Sequence, residues 1–217
     1  MENLEKTTGR EMARTTNLDK QLFQALDRAA QAKYKQFALA YAQDSKQFIN
    51  KILRDYEASE RFPVHVLQTI KSIPKSKYDS AVCILRGGLP YSLLFEADGW
   101  KMHYVVCGRK NEEFGNLRFD ATIDPTLKKI QGKKVLLIEN NSHTGNSPGT
   151  VANELTTRYK IQQPDLFLDY FCPGGSFSSD KDKLAQYSRI YVAREADVAS
   201  EAERQKLIKE FLTKLEK

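Results

Sequence analysis

The chain has 217 residues, with 34 Lys+Arg against 28 Asp+Glu and a formal net charge of +6. At 41% apolar and 29% charged it has the composition of a globular protein with a sizeable core, which excludes collagen-like, disordered and disulfide-scaffold classes. Its apolar runs fall far short of the roughly 20 residues of a membrane span. The opening MENLEKTTGREMARTTN lacks the apolar core of a secretory signal, so a cytoplasmic location and no membrane partner are expected.

Residues 1–62 read as a helical N-terminal extension. Thr16 and Asp19 form a T-x-x-D capping box. Leu18, Leu22, Leu26, Ala29, Ala30, Tyr34, Phe37, Ala38 and Tyr41 then recur at helical spacing, and Phe48, Ile49, Ile52, Leu53 and Tyr56 continue the stripe. That apolar face requires a partner surface: the rest of the chain first, a twin subunit or another protein otherwise. A homodimer is one form this would take.

From Pro63 the pattern changes. A short helix over 64–73 is followed by apolar runs of strand length at 80–85 (SAVCIL), 103–107 (HYVVC), 134–139 (KVLLIE), 166–171 (LFLDYF) and 189–193 (RIYVA). Helical patterns over 89–98, 148–159 and 181–187 separate them. A closing helix opens with a second capping box, Ser200 and Glu203, and carries Leu207, Ile208, Phe211, Leu212 and Leu215. Unbroken apolar strands alternating with helices predict an α/β fold: a five-stranded, mainly parallel, doubly wound sheet over 63–217, for which the flavodoxin-like 2-1-3-4-5 is a common order. Residues 108–132 show little periodicity and read as a lid. Cys83, Cys107 and Cys172 lie far apart in apolar stretches and read as reduced, buried thiols; the three histidines form no metal cluster. Trp100 and Tyr104 read as core or interface.

Two strand-to-helix loops carry chemistry. In the first, Ile84-Leu85-Arg86-Gly87-Gly88-Leu89-Pro90, paired glycines allow backbone N–H groups to face an anion beside the arginine. In the second, the apolar strand ends in Glu139 and Asn140 and passes through Ser142, His143, Thr144, Gly145, Asn146 and Ser147 into a helix. Ser147 suits the N-cap and Pro148 the first helical position. Loop amides, hydroxyls and the positive end of the helix make a phosphate cup. Glu139 and Asn140, just upstream, suit adjacent hydroxyls of a sugar. In the 2-1-3-4-5 order both loops border the switch point where such folds bind ligands. The +6 charge therefore reads as company for a phosphorylated ligand, and argues against nucleic acid as a partner.

These residues resemble a known family. Residues 135–150 are similar to the PRPP-binding motif of type I phosphoribosyltransferases: apolar strand, two acids, a few variable positions, then Thr-Gly-x-Thr/Ser. Residues 84–90 resemble the same family's pyrophosphate loop. The chain departs from the motif at Asn140, where the family has a second acid. The resemblance implies transfer of a 5-phosphoribosyl group from Mg²⁺-bound PRPP to a nitrogenous base, with a purine-like acceptor favoured. It implies Glu139, Asn140 and Arg86 in catalysis, with Arg86, Gly87 and Gly88 receiving pyrophosphate. Arg109 and Lys110, at the root of the lid, are candidates to close over it. Glu139 would meet Mg²⁺ mainly through the ligand. The alternative it leaves open is a PRPP- or nucleotide-binding regulator, with PRPP or a nucleoside monophosphate as ligand; a structural protein on a borrowed fold is the third reading. The candidates for base recognition are 170–175 and 194–197, each of which also reads as an ordinary loop.

Overall fold

The computed structural model describes residues 17–37, 64–109, 117–142, 144–172, 174–193 and 200–216. Its helices are α1 (Asn17–Phe37), α2 (Val64–Ser72), α3 (Leu89–Ala97), α4 (Asn146–Tyr159), α5 (Lys181–Leu184) and α6 (Glu201–Leu215). Its strands are β1 (Ser80–Leu85), β2 (Met102–Arg109), β3 (Leu117–Asp120), β4 (Val135–Ile138), β5 (Asn141–Ser142), β6 (Asp165–Leu168), β7 (Tyr170–Phe171) and β8 (Ile190–Val192).

The main sheet runs β3-β2-β1-β4-β6-β8. β2, β1, β4, β6 and β8 are parallel, and β3 pairs antiparallel with β2, setting Cys107 opposite Phe119. Burial on both faces explains why β4, and β1 after Ser80, are apolar. Ala81, Cys83, Leu85, Leu136 and Ile138 face one core, while Val82, Ile84, Val135 and Leu137 face another. A strand covered on both faces has no solvent side on which a polar residue is cheap.

The first core is roofed by helices. Leu22, Phe23, Leu26 and Ala30 of α1 join Leu67 and Ile70 of α2, Leu93 and Leu94 of α3 and Phe211 of α6 in one cluster. Of the N-terminal stripe, Leu18, Leu22, Leu26, Ala29, Ala30 and Phe37 thus pack on their own chain. The continuation through Ala38, Tyr41, Phe48, Ile49, Ile52, Leu53 and Tyr56 lies outside the described residues. The second core packs Val151, Ala152 and Leu155 of α4 against the opposite face. Trp100 and Tyr104 are both buried, in the first core.

Several expectations need correction. The main sheet has six strands, not five, because β3 forms inside the segment expected to be a structureless lid. Farther along that segment Leu127 and Ile130 anchor a 3₁₀ turn in the second core. The run 166–171 is not one strand. It breaks at Asp169, and Tyr170–Phe171 pairs instead with Asn141–Ser142 in a separate two-stranded sheet. The expected capping box at Thr16 lies outside the described residues, and Asp19 accepts from Arg204 Nη2 of α6 at 2.6 Å. The Ser200–Glu203 capping box forms as expected.

Candidate functional site

The β1–α3 loop and the β4–α4 loop meet at the C-terminal ends of adjacent parallel strands. Gly87 lies so close to the second loop that a Cβ there would stand 2.5 Å from Glu139 Oε1 and 3.4 Å from Asn140 Cβ. At Gly88 a Cβ would meet the carbonyl oxygens of Ile138 at 2.5 Å and Ile84 at 2.9 Å. The paired glycines therefore permit a close approach of two backbones. Arg86 heads this loop and is exposed, and the Leu85–Arg86 peptide is cis.

Glu139 follows β4 and is 8% exposed. Burial pushes its carboxyl up to about 8, against the opposing bond that Oε1 accepts from the Asn140 N–H at 2.9 Å. A group so placed recovers its charge when a hydroxyl or a cation replaces lost water. Asn140 Oδ1 lies 2.9 Å from the hydroxyl of Tyr91, which is itself 3.1 Å from Asp169 Oδ2. Residue 140 is thus tied to the helix behind the arginine–glycine loop.

The phosphate-cup candidates form a tight turn. Ser142 is buried, and its Oγ accepts from the Gly145 N–H at 2.8 Å. Gly145 has φ of 73° and is the N-cap of α4, so Ser147 is a residue inside the helix and not its cap as expected. A left-handed N-cap suits glycine because other residues meet a Cβ penalty there. At the start of α4 the Gly145 N–H is taken by Ser142, Gly149 N–H donates to Gly145 O at 2.9 Å, and Pro148 has no N–H. The amides of Asn146 and Ser147 have no intrahelical acceptor, at the positive end of the helix dipole. Thr144 is half-buried, and its carbonyl accepts from Lys183 Nζ of α5 at 2.8 Å. Lys183 also pairs with Asp180 at 3.4 Å.

Glu139, Asn140, Gly87 and Gly88 are therefore brought together, with Ser142 and Gly145–Ser147 on the same β4–α4 connection. Arg109 ends β2, and its side chain lies outside what is described; His143 and Lys110 lie outside the described residues altogether. Of the base-recognition candidates, Phe171 packs on Phe177 with ring centres 5.5 Å apart and belongs to the second core. Residues 194–197 are outside the described residues. Four contributors escaped the sequence reading: Tyr91, Asp169, Phe177 and Lys183. Asp169 had a visible signal, a charge inside the apolar run LFLDYF; the other three had none. Among the described residues no three His, Cys, Asp or Glu side chains gather in a group that could hold a metal ion. A cavity of about 370 Å³ bounded by Ala152, Asn153, Thr156, Gln163, Pro164 and Gln186 shares no residue with either loop.

No family model matches the chain, and no curated protein matches it. Among solved structures, it is similar to an orotate phosphoribosyltransferase from Aeropyrum pernix, with 13% identity over 59% of this chain and 68% of that one, TM-score 0.42. It is similar to a purine phosphoribosyltransferase from Pyrococcus horikoshii, with 16% identity over 63% and 90%, TM-score 0.43. A hypothetical protein from Neisseria gonorrhoeae with bound ppGpp gives 13% identity over 67% and 89%, TM-score 0.43. These are loose likenesses of overall shape and say nothing of this chain's ligand.

Proposed function

We propose that the crevice binds a ribose 5-phosphate group and that the chain is a phosphoribosyltransferase. It would move the 5-phosphoribosyl group of Mg-PRPP to a nitrogenous base, with purines the first acceptors to try. The observation that carries this reading is the approach of Gly87 to Glu139: the loop proposed to take an anion lies beside the carboxylate proposed to take the sugar. In the reaction the C1–O bond to pyrophosphate breaks and pyrophosphate leaves with the electron pair. A ring nitrogen of the acceptor forms the new bond to C1 and releases its proton.

The amides of Asn146 and Ser147, with Thr144, would hold the 5-phosphate. Glu139 and Asn140 would take the ribose hydroxyls. Arg86 and the Gly87–Gly88 amides would receive pyrophosphate, and Arg109 and Lys110 would approach from the lid side. Catalysis is then positioning and charge neutralisation around a carbocation-like C1. Mg²⁺ enters as part of the substrate. We further propose a cytoplasmic enzyme, homodimeric, with residues 1–62 as an extension to the α/β domain over 63–217.

A second reading, a PRPP- or nucleotide-binding regulator without turnover, is favoured by the neutral side chain of Asn140. Incubation of the purified protein with PRPP, Mg²⁺ and each nucleobase in turn decides between them. Release of pyrophosphate with one base supports the transferase. Calorimetric binding of PRPP without release supports the regulator, and no binding of PRPP or any nucleoside monophosphate overturns both.

A further inference from the structure

Lys183 lies on α5, outside both strand-to-helix loops, yet its Nζ donates to the Thr144 carbonyl at 2.8 Å. The other polar end of the same Thr144–Gly145 peptide is also taken, since the Gly145 N–H donates to Ser142 Oγ at 2.8 Å. Side chains from two different elements thus grip one peptide unit at the start of α4. Gly145 has φ of 73°. Glycine accepts either sign of φ at little cost, so residue 145 itself does little to fix the peptide plane before it. The two bonds hold that plane, with its oxygen toward α5.

The grip is also a charge. The amides of Asn146 and Ser147 follow two and three residues after Thr144, so the Thr144 carbonyl is a negative dipole end close to any anion held on them. The ammonium on that carbonyl offsets its dipole and adds a positive charge, on a side chain 30% exposed where water screens it incompletely. Against it stands Asp180. Its Oδ1 caps α5 by accepting from the Lys183 N–H at 3.1 Å, while Oδ2 lies 3.4 Å from Lys183 Nζ. The two roles of this carboxylate are separable. Capping needs only an oxygen, which asparagine supplies equally well; damping the ammonium needs a negative charge.

We propose that Lys183 is a positioning residue for the phosphate turn: it fixes the Thr144–Gly145 peptide and lends its charge to an anion held at the start of α4, and Asp180 damps that charge. The inference rests on the phosphosugar reading above and deepens it, by adding to the turn a cation from an element that neither loop contains. It also sets α5 to work as part of the site.

The test is calorimetry on the full chain with inorganic phosphate and ribose 5-phosphate as probes. Lys183→Met is expected to weaken both about tenfold, and Lys183→Arg to stay within about threefold of the parent. Asp180→Asn is expected to tighten both about threefold. The opposite signs are decisive, because Lys183→Met and Asp180→Asn break the same ion pair. A pair that merely held α5 in place would weaken binding in both variants, and that result overturns the proposal. A Lys183→Met protein within about twofold of the parent overturns it too. Raising the salt concentration should cost the parent more affinity than it costs Lys183→Met, since screening acts on the charge that the variant lacks. Should Lys183→Met fail to fold, the sign of the Asp180→Asn effect still decides. A parent that binds neither probe overturns the phosphosugar reading and this inference with it. A parent that binds, with both variants weakened, overturns this inference alone.

Discussion

Gly87 and Glu139 come from different loops yet share one point of the crevice, where a Cβ on Gly87 would lie 2.5 Å from Glu139 Oε1. The neighbouring Gly88 is hemmed in by backbone, the carbonyls of Ile138 and Ile84. Two adjacent glycines should therefore fail in different ways. Gly87→Ala displaces the end of one side chain, so stability should change by less than about 1 kcal/mol while PRPP affinity drops. Gly88→Ala must part the loop from β4 and should cost about 1–3 kcal/mol. Chemical denaturation alongside calorimetry checks both, and equal stability losses would contradict the assignment.

Glu139 makes stability depend on pH with a definite sign. Its ordinary value is 4.5 and burial raises it to about 8. Between those values the folded chain holds a proton that the unfolded chain has released, so stability falls as pH rises through the window. Glu139→Gln removes this penalty. The variant should match the parent near pH 4 and melt higher near pH 8, by about 2–4 °C for each kcal/mol recovered. Its affinity for PRPP should fall at the same time. A midpoint difference independent of pH would sink the argument.

The sheet interior was readable because β1 and β4 are buried on both faces, and an unbroken apolar run has few other meanings. β3 was not readable: LRFD is short, Phe119 packs against the second core, and the segment becomes a strand through its pairing with β2. The turn before α4 was legible in Thr144-Gly145-Asn146-Ser147, but its cap was misplaced. Gly145 enters the helix through a left-handed backbone, which leaves no polar side chain as a marker. Asp169 could be seen as an oddity in an apolar run. Its partner Tyr91 is 78 residues away in sequence, and no local pattern joins the two.

The N-terminal helix is held by a buried ion pair. Asp19 on α1 is 1% exposed and lies 2.6 Å from Arg204 Nη2 on α6. Removing one member leaves the other charge desolvated, a loss of about 3–5 kcal/mol. Asp19→Ala should therefore lower the unfolding free energy by that order, where an exposed pair such as Arg28–Glu216 at 3.9 Å should change it by less than about 1 kcal/mol. Denaturant titration of Asp19→Ala and Arg28→Ala makes the comparison. Equal small effects would mean that α1 is not fixed through this pair.

Gly145 is required twice, by its φ of 73° and by the ring of Phe177, which a Cβ would approach to 2.3 Å. Gly145→Ala should both destabilise the chain, by more than about 2 kcal/mol, and abolish phosphate binding by opening the turn. Gly145→Ala combined with Phe177→Leu removes part of the steric conflict and should regain stability without regaining phosphate affinity. Recovery of both together would assign the effect to packing alone and detach the turn from ligand binding.

Asp124 ties the long connection after β2 back to the sheet. Its Oδ2 lies 3.0 Å from His103 Nδ1 and accepts from the Tyr104 N–H at 3.2 Å, while Oδ1 accepts from Thr126 N and Oγ1 at 2.8 and 2.6 Å. Burial pushes its carboxyl up, but the bonds from His103 and Thr126 outweigh burial and hold it at about 2, against an ordinary 3.8. The stabilisation is therefore present above 3.8 and is lost as pH falls toward 2, because the unfolded chain takes up the proton first. Asp124→Asn should cost about 1–3 kcal/mol near neutrality. Its urea midpoint should then decline less steeply than the parent's between about pH 4 and pH 2. Parallel acid limbs for the two proteins would show that the carboxylate at 124 does not anchor this connection.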